Sequence, residues 1–148
     1  MPLQKEIINK FSCITKLHTQ SFNTEGKLTH SLSGVVRVEI NSGKEIIFEE
    51  QIRWENESSL LMNSKNVYKW TFLTSGNIKL HHLRFGSNNP VFLVELVKSG
   101  KKFWESKEPH NCNNDLYSAK LYLEKKSIIF KWKVTGPTEN YSLETTYS

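Results

Sequence analysis

Apolar and polar residues alternate one by one along most of this chain, in runs that are separated by turn-forming residues. One run extends from Leu32 to Ile40, Asn41-Ser42-Gly43 follows it, and a second run extends from Ile46 to Trp54. Successive side chains of a β-strand point to opposite faces, so each run predicts a strand with one buried face. A tight turn between two such strands predicts a β-hairpin.

The same pattern recurs towards the C-terminus. Tyr68, Trp70 and Phe72 share one side of an aromatic strand, and Ser75-Gly76-Asn77 turns the chain into a return strand that begins at Ile78. Further alternating or apolar segments follow at 91–97, 103–104, 117–124, 128–134 and 141–147. The chain thus predicts roughly nine or ten strands at the spacing typical of a sandwich or barrel.

The predicted fold class is all-β. Consecutive strands joined by short turns favour an antiparallel up-and-down meander, and a meander of this many twisted strands curls and closes into a barrel. Leu3, Ile7, Ile8 and Phe11 recur at helical spacing, which predicts a short N-terminal helix that closes one end. Because 148 residues are the length of one ordinary domain and no linker or repeat interrupts them, we expect a single domain over residues 1–148.

Charge and composition exclude several classes of function. The net charge is +5, but the basic residues are mostly lysines scattered singly among glutamates, with arginine only at positions 37, 53 and 84. This is typical of solvated strand faces, so we expect no nucleic-acid partner. No apolar stretch approaches the roughly 20 residues of a transmembrane helix, so we expect no membrane partner.

The two cysteines, Cys13 and Cys112, lie far apart in the sequence. The first eleven residues carry charges where a secretory signal would be apolar, which favours a cytoplasmic location and reduced thiols. We expect no cofactor. A homo-oligomer is left open by the sequence.

Several motifs near the C-terminus resemble a known family. They are His110-x-Cys112-x-x-Asp115-x-Tyr117, Trp132-x-Val134, Gly136-Pro137-x-x-x-Tyr141 and Thr145-x-Tyr147, with Tyr68-x-Trp70 upstream. Together they resemble the family labelled DUF6314, most closely over residues 104–148. The resemblance implies a lipocalin-like, calycin-type β-barrel and no particular reaction or ligand. Where the family usually has basic residues, this chain has Thr138-Glu139-Asn140, so the resemblance implies no anion site there.

Two polar residues share the parity of buried strand positions, that is, each is an even number of residues away from apolar residues that are predicted to face inward. His82 has the parity of Ile78 and Leu80, which predicts an inward-facing imidazole of the kind that is usually a hydrogen-bonded core group. Glu50 has the parity of Phe48 and Ile52, which predicts either a buried acid paired with arginine or histidine, or a bulge.

His110, Cys112 and Asp115 are residue types that coordinate zinc, but their spacing matches no known finger, and a fourth ligand such as His81 or His82 would be needed. We therefore predict no metal site. The neighbouring asparagines are turn formers, which favours a turn-rich barrel rim. There, His110, Asp115 and Tyr117 can orient a polar head group, while Cys112 packs as a small apolar residue.

The resulting hypothesis is noncovalent binding of a small apolar or amphipathic molecule in a barrel cavity. The predicted ligand-binding residues are Tyr68, Trp70, His82, His110, Asp115, Tyr117 and Trp132. Two alternatives stay open at this point. One is a small enzyme, a hydrolase or isomerase, that uses His110 with Asp115 or Cys112, although no oxyanion-hole motif or nucleophile turn is present. The other is a structural or protein-interaction module with a filled core.

Overall fold

The structure is a computed structural model that describes residues 2–55, 61–112, 114–137 and 139–148. The described chain begins with one helix, α1 (Pro2–Ser12), and continues as strands. The strands are β1 (Lys16–Asn23), β2 (Leu28–Ser42), β3 (Glu45–Glu55), β4 (Leu61–Phe72), β5 (Ile78–His82), β6 (Val91–Gly100), β7 (Phe103–Ser106), β8 (His110–Cys112), β9 (Asp115–Leu123), β10 (Ile128–Thr135) and β11 (Asn140–Tyr147).

Ten of these strands close into an antiparallel barrel. From β1 to β7 each strand pairs with the next, β9 pairs with β7 and β10, and β11 joins β10 to β1. The extra strand, β8, pairs with the first residues of β9. The predicted all-β, antiparallel, lipocalin-like barrel with a short N-terminal helix is therefore confirmed. Closure leaves no long free sheet edge, which is the physical advantage of a barrel over an open sheet.

Helix α1 covers one end of the barrel. Phe11 is fully buried, and its ring contacts the rings of Phe48, Trp70 and Phe72 with centroid separations of 5.1–5.6 Å. The Gln4 amide donates to the carbonyl of Leu73 at 3.0 Å, which ties the helix to the turn after β4. This end, which we call the closed end, also carries the short connections after β2, β4, β6 and β9.

The opposite end of the barrel, the open end, has no helix over it in the described part of the chain. It carries the connections that follow β1, β5 and β10, together with β8. The pairing is also less extensive here, because the β6–β7 ladder runs only from Leu96 to Gly100, while β8 pairs with β9. The open end is therefore the less covered end of the described barrel.

The two cysteines lie at opposite ends of the barrel. Cys13 follows α1 at the closed end and Cys112 lies in β8 at the open end, and both are free and exposed. A disulfide between them within one chain is incompatible with this fold. No described helix is long and apolar enough to span a bilayer.

Candidate ligand-binding site

A cavity of about 920 Å³ lies at the open end of the barrel. Its apolar wall comes from several strands and includes Val91, Leu93, Val134 and Leu143. Its aromatic wall consists of Tyr68, Tyr117, Trp132 and Tyr141. Cavities that bind small molecules in proteins are commonly about 300–1,000 Å³ and mostly apolar, with a few polar groups. This cavity has the size and the mixed lining of such a site.

Five of the predicted ligand-binding residues line this cavity. They are Tyr68, His82, His110, Tyr117 and Trp132, which come from β4, β5, β8, β9 and β10. The ring of Tyr117 lies edge to face against both His110 and Trp132, with centroids 6.2 Å apart in each pair. Barrel closure thus brings together residues that are distant in sequence, and the aromatic contacts hold their rings in fixed orientations.

Trp70 and Asp115 do not line the cavity. Trp70 is 1% exposed and packs in the closed-end core against Phe11, Phe48 and Phe130. It shares a face of β4 with Tyr68 but lies two residues deeper in the barrel, where α1 covers it. Its indole N–H has no hydrogen-bond acceptor in the part of the chain that the structure describes.

Asp115 is buried beside the turn that joins β10 to β11. A Cβ added to Gly136 would lie 2.9 Å from the Cα of Asp115 and closer still to its carboxyl group. Only glycine leaves room for this approach. Asp115 therefore packs the start of β9 against the β10–β11 turn, behind the cavity wall.

His82 and Arg84 form a local pair at the rim. The backbone N–H of Arg84 donates to Nδ1 of His82 at 3.3 Å, so the neutral imidazole carries its proton on Nε2. Burial lowers the pKa of His82, and the positive charges of Arg84 and His110 lower it further. His82 is therefore mainly neutral at pH 7 and presents an N–H donor.

Glu50 lies inside the barrel, next to the cavity floor. It is 3% exposed, and the hydroxyl of Tyr147 donates to its Oε2 at 2.5 Å. Burial raises the pKa of Glu50 from 4.5 to about 7, while hydrogen bonds from Tyr147 and Asn66 oppose the rise. Burial, followed by the nearby Glu50 charge, raises the pKa of Tyr68 to about 12.

The surroundings of Glu50 differ from both alternatives that the sequence left open, which were an arginine or histidine partner and a bulge. Arg37 and Arg53 are exposed, and β3 pairs with β4 through Glu50 and Asn66 without a register shift. The acid is therefore buried as its parity predicts, but its partners are Tyr147 and Asn66, and no bulge marks its position.

Several lining residues were missed by the sequence analysis. Arg84, Lys65 and Asn66 lie at the rim, and the ammonium of Lys65 is 3.2 Å from the carboxylate of Glu49. Arg84 lies two residues beyond the end of β5, so its only sequence signal is its distance of two residues from the inward-facing His82. Lys65 and Asn66 precede the aromatic strand pattern by only a few residues, where no apolar alternation marks them.

A family comparison covers nearly the whole chain. Residues 4–148 match the model of a family of unknown function, DUF6314. The chain belongs to this family. No protein of curated function matches the sequence.

In this DUF6314 barrel, seven of the residues that carried the resemblance line the cavity: Tyr68, His110, Cys112, Tyr117, Trp132, Val134 and Tyr141. Asp115 and Gly136 pack directly behind it. Most of these motif residues therefore meet at the open end, whereas Trp70 and Tyr147 lie in the buried core.

The described residues of this DUF6314 barrel show no arrangement typical of a metal centre or of an activated nucleophile. No group of three or more His, Cys, Asp or Glu side chains that could share a metal ion occurs among the described residues. Within the same residues, no hydrogen bond joins His110 to Cys112, and Cys112 is exposed. A nucleophilic cysteine requires an adjacent base that accepts its proton, and His110 instead packs against Tyr117.

Proposed function

We propose that this protein binds a small, partly apolar molecule noncovalently in the cavity at the open end of the barrel. The observation that carries the proposal is the cavity itself, which combines an aromatic and aliphatic wall with basic and polar side chains at its rim. The closed end is packed by the core around Phe11, and the pocket beside α1 there has a volume of only about 210 Å³, so the larger hollow lies at the open end.

The physical basis of binding is the removal of apolar surface from water. Each Å² of apolar surface that a ligand and the wall bury together contributes about 25 cal/mol. Trp132 and Tyr117 offer large, rigid surfaces, because their rings are held edge to face at 6.2 Å. The polar groups His82, Arg84 and His110 line the rim, and in this proposal they orient the polar part of the ligand.

The two alternatives have less support from the geometry. A module with a filled core would not contain a cavity of about 920 Å³ lined by aromatic rings. An enzyme needs a nucleophile or a general base with an oriented partner. Here His110 contacts an aromatic ring, and Asp115 lies against Gly136.

The proposal is tested with the uncharged fluorophore N-phenylnaphthylamine, whose emission rises in apolar surroundings. We expect saturable binding to the wild-type protein. Trp132→Ala and Tyr117→Ala each remove part of the wall, so we expect each to weaken binding by about 10- to 100-fold. The matched control is Tyr122→Ala, because Tyr122 also lies in β9 but stacks on Phe103 with centroids 4.9 Å apart and does not line the cavity.

Circular dichroism establishes that each variant is folded before its affinity is compared. Wild-type affinity in both folded cavity variants, or equal loss in Tyr122→Ala, would show that the fluorophore binds elsewhere. Absence of saturable binding to the wild-type protein would count against the proposed function itself.

A further inference from the structure

The described cavity wall contains basic side chains and no carboxylate. Lys65, His82, Arg84 and His110 line it, and none of the described lining residues is Asp or Glu. The Lys65 charge is balanced by Glu49 at 3.2 Å. Arg84 is exposed and has no ion-pair partner among the described residues. Among the residues that the structure describes, the guanidinium of Arg84 is thus a permanent positive charge at the rim without a carboxylate partner.

His82, Arg84 and His110 line one cavity, which brings these basic groups together. Arg84 and His110 both lower the pKa of His82, and Arg84 also opposes the rise in the pKa of Tyr68. A positive charge such as that of Arg84 is stabilised when an anion binds beside it. A carboxylate also matches the planar guanidinium group of arginine, which can donate two parallel hydrogen bonds to it.

The nearby acidic groups do not cancel this positive field. Glu50 lies under the floor rather than in the wall, and its raised pKa leaves it partly protonated near pH 7. Asp115 and Glu139 act on Tyr141, which lies on the β11 side of the cavity. The β5 side, with His82 and Arg84, is therefore the side that attracts an anion.

We propose that the ligand is an amphipathic carboxylate, which lays its acid group against Arg84 at the rim and its apolar body against Trp132 inside the cavity. This inference rests on the proposed function and adds the chemical class of the ligand. Neutral His82 donates a further hydrogen bond through Nε2–H.

The test compares dodecanoate with dodecanol by isothermal titration calorimetry, because the two probes differ only in the head group. We expect the wild-type protein to bind dodecanoate at least about tenfold more tightly than dodecanol. Arg84→Gln should remove this preference by weakening dodecanoate alone, and Arg84→Lys should retain part of it. Arg37→Gln is the matched control, since Arg37 is an exposed arginine in β2 outside the cavity and should leave both affinities unchanged.

The outcomes separate this inference from the proposed function. Equal affinity of the wild-type protein for both probes would overturn the carboxylate inference and leave cavity binding intact. The inference also falls if Arg84→Gln weakens both probes equally, because Arg84 would then act on the cavity as a whole. If neither probe nor N-phenylnaphthylamine binds, the proposed function fails, and this inference fails with it.

Discussion

Phe11→Ala is expected to lower the free energy of unfolding by about 3–5 kcal/mol, the range measured when a buried phenylalanine is truncated in a close-packed core. Phe11 is fully buried at the closed end, and its ring meets three other aromatic rings, those of Phe48, Trp70 and Phe72. The truncation removes these contacts and leaves a cavity between α1 and the barrel. Urea denaturation followed by tryptophan fluorescence measures the loss.

The matched control is Asn9→Ala, which lies in the same helix but is exposed. Its effect should stay within about 0.5 kcal/mol, as is usual for surface positions. A loss below about 1 kcal/mol for Phe11→Ala would contradict a closed end sealed by α1. Removal of a fully buried aromatic ring from a packed core lowers the free energy of unfolding by more than this.

Glu50→Gln is expected to remove a pH dependence of stability of about 3 kcal/mol. Burial raises the pKa of Glu50 from 4.5 to about 7, so the folded state binds this proton more tightly than the unfolded state does. The resulting stabilisation is complete below pH 4.5 and is lost as the pH rises through 7. Each pKa unit corresponds to about 1.4 kcal/mol, which gives the magnitude.

The measurement is the unfolding free energy of the wild-type protein and of the variant between pH 4.5 and pH 8. The stability of Glu50→Gln relative to the wild type should increase by about 3 kcal/mol over this range. His81 and His82 have lowered pKa values and change stability in the opposite direction, but they are common to both proteins.

Glu49→Gln provides the control for Glu50→Gln. Glu49 neighbours Glu50 in β3 but is partly exposed and forms a surface ion pair with Lys65. Its replacement should leave the pH dependence of the wild-type protein nearly unchanged. If the difference between wild type and Glu50→Gln stays constant across the pH range, the carboxyl group is not buried in the way described.

Much of the fold follows from local pattern. The alternation around Phe48 and Trp70, with the turns at Gly43 and Gly76, predicts both the strands and the faces that they bury. The spacing of Ile7 and Phe11 predicts the helix that closes the barrel. These signals are local, because the period of a strand or helix is set by its own backbone geometry.

The depth of a residue inside the barrel does not follow from parity. Tyr68 and Trp70 lie on the same face of β4, yet Tyr68 lines the cavity and Trp70 is packed beneath α1. The difference depends on strand stagger and on which end the helix covers, and both are properties of the closed barrel. Parity therefore identifies inward residues without separating filled core from cavity wall.

Partners across the barrel are the least predictable feature. Tyr147 and Glu50 are 97 residues apart in sequence. They meet only because β11 pairs with β1, β1 pairs with β2, and β2 pairs with β3. The approach of Asp115 to Gly136 has the same origin, since β9 and β10 must pair before the two residues meet. Such contacts depend on the register of several strands at once.

The proposed function requires that the open end of the barrel holds a small molecule. Native mass spectrometry of the wild-type protein, purified under mild conditions from the cells that produce it, tests this claim most directly. We expect a complex with one small molecule per chain that disappears after extraction with organic solvent and reforms with dodecanoate. Only the bare chain mass, both as purified and after titration with dodecanoate and N-phenylnaphthylamine, would contradict the claim.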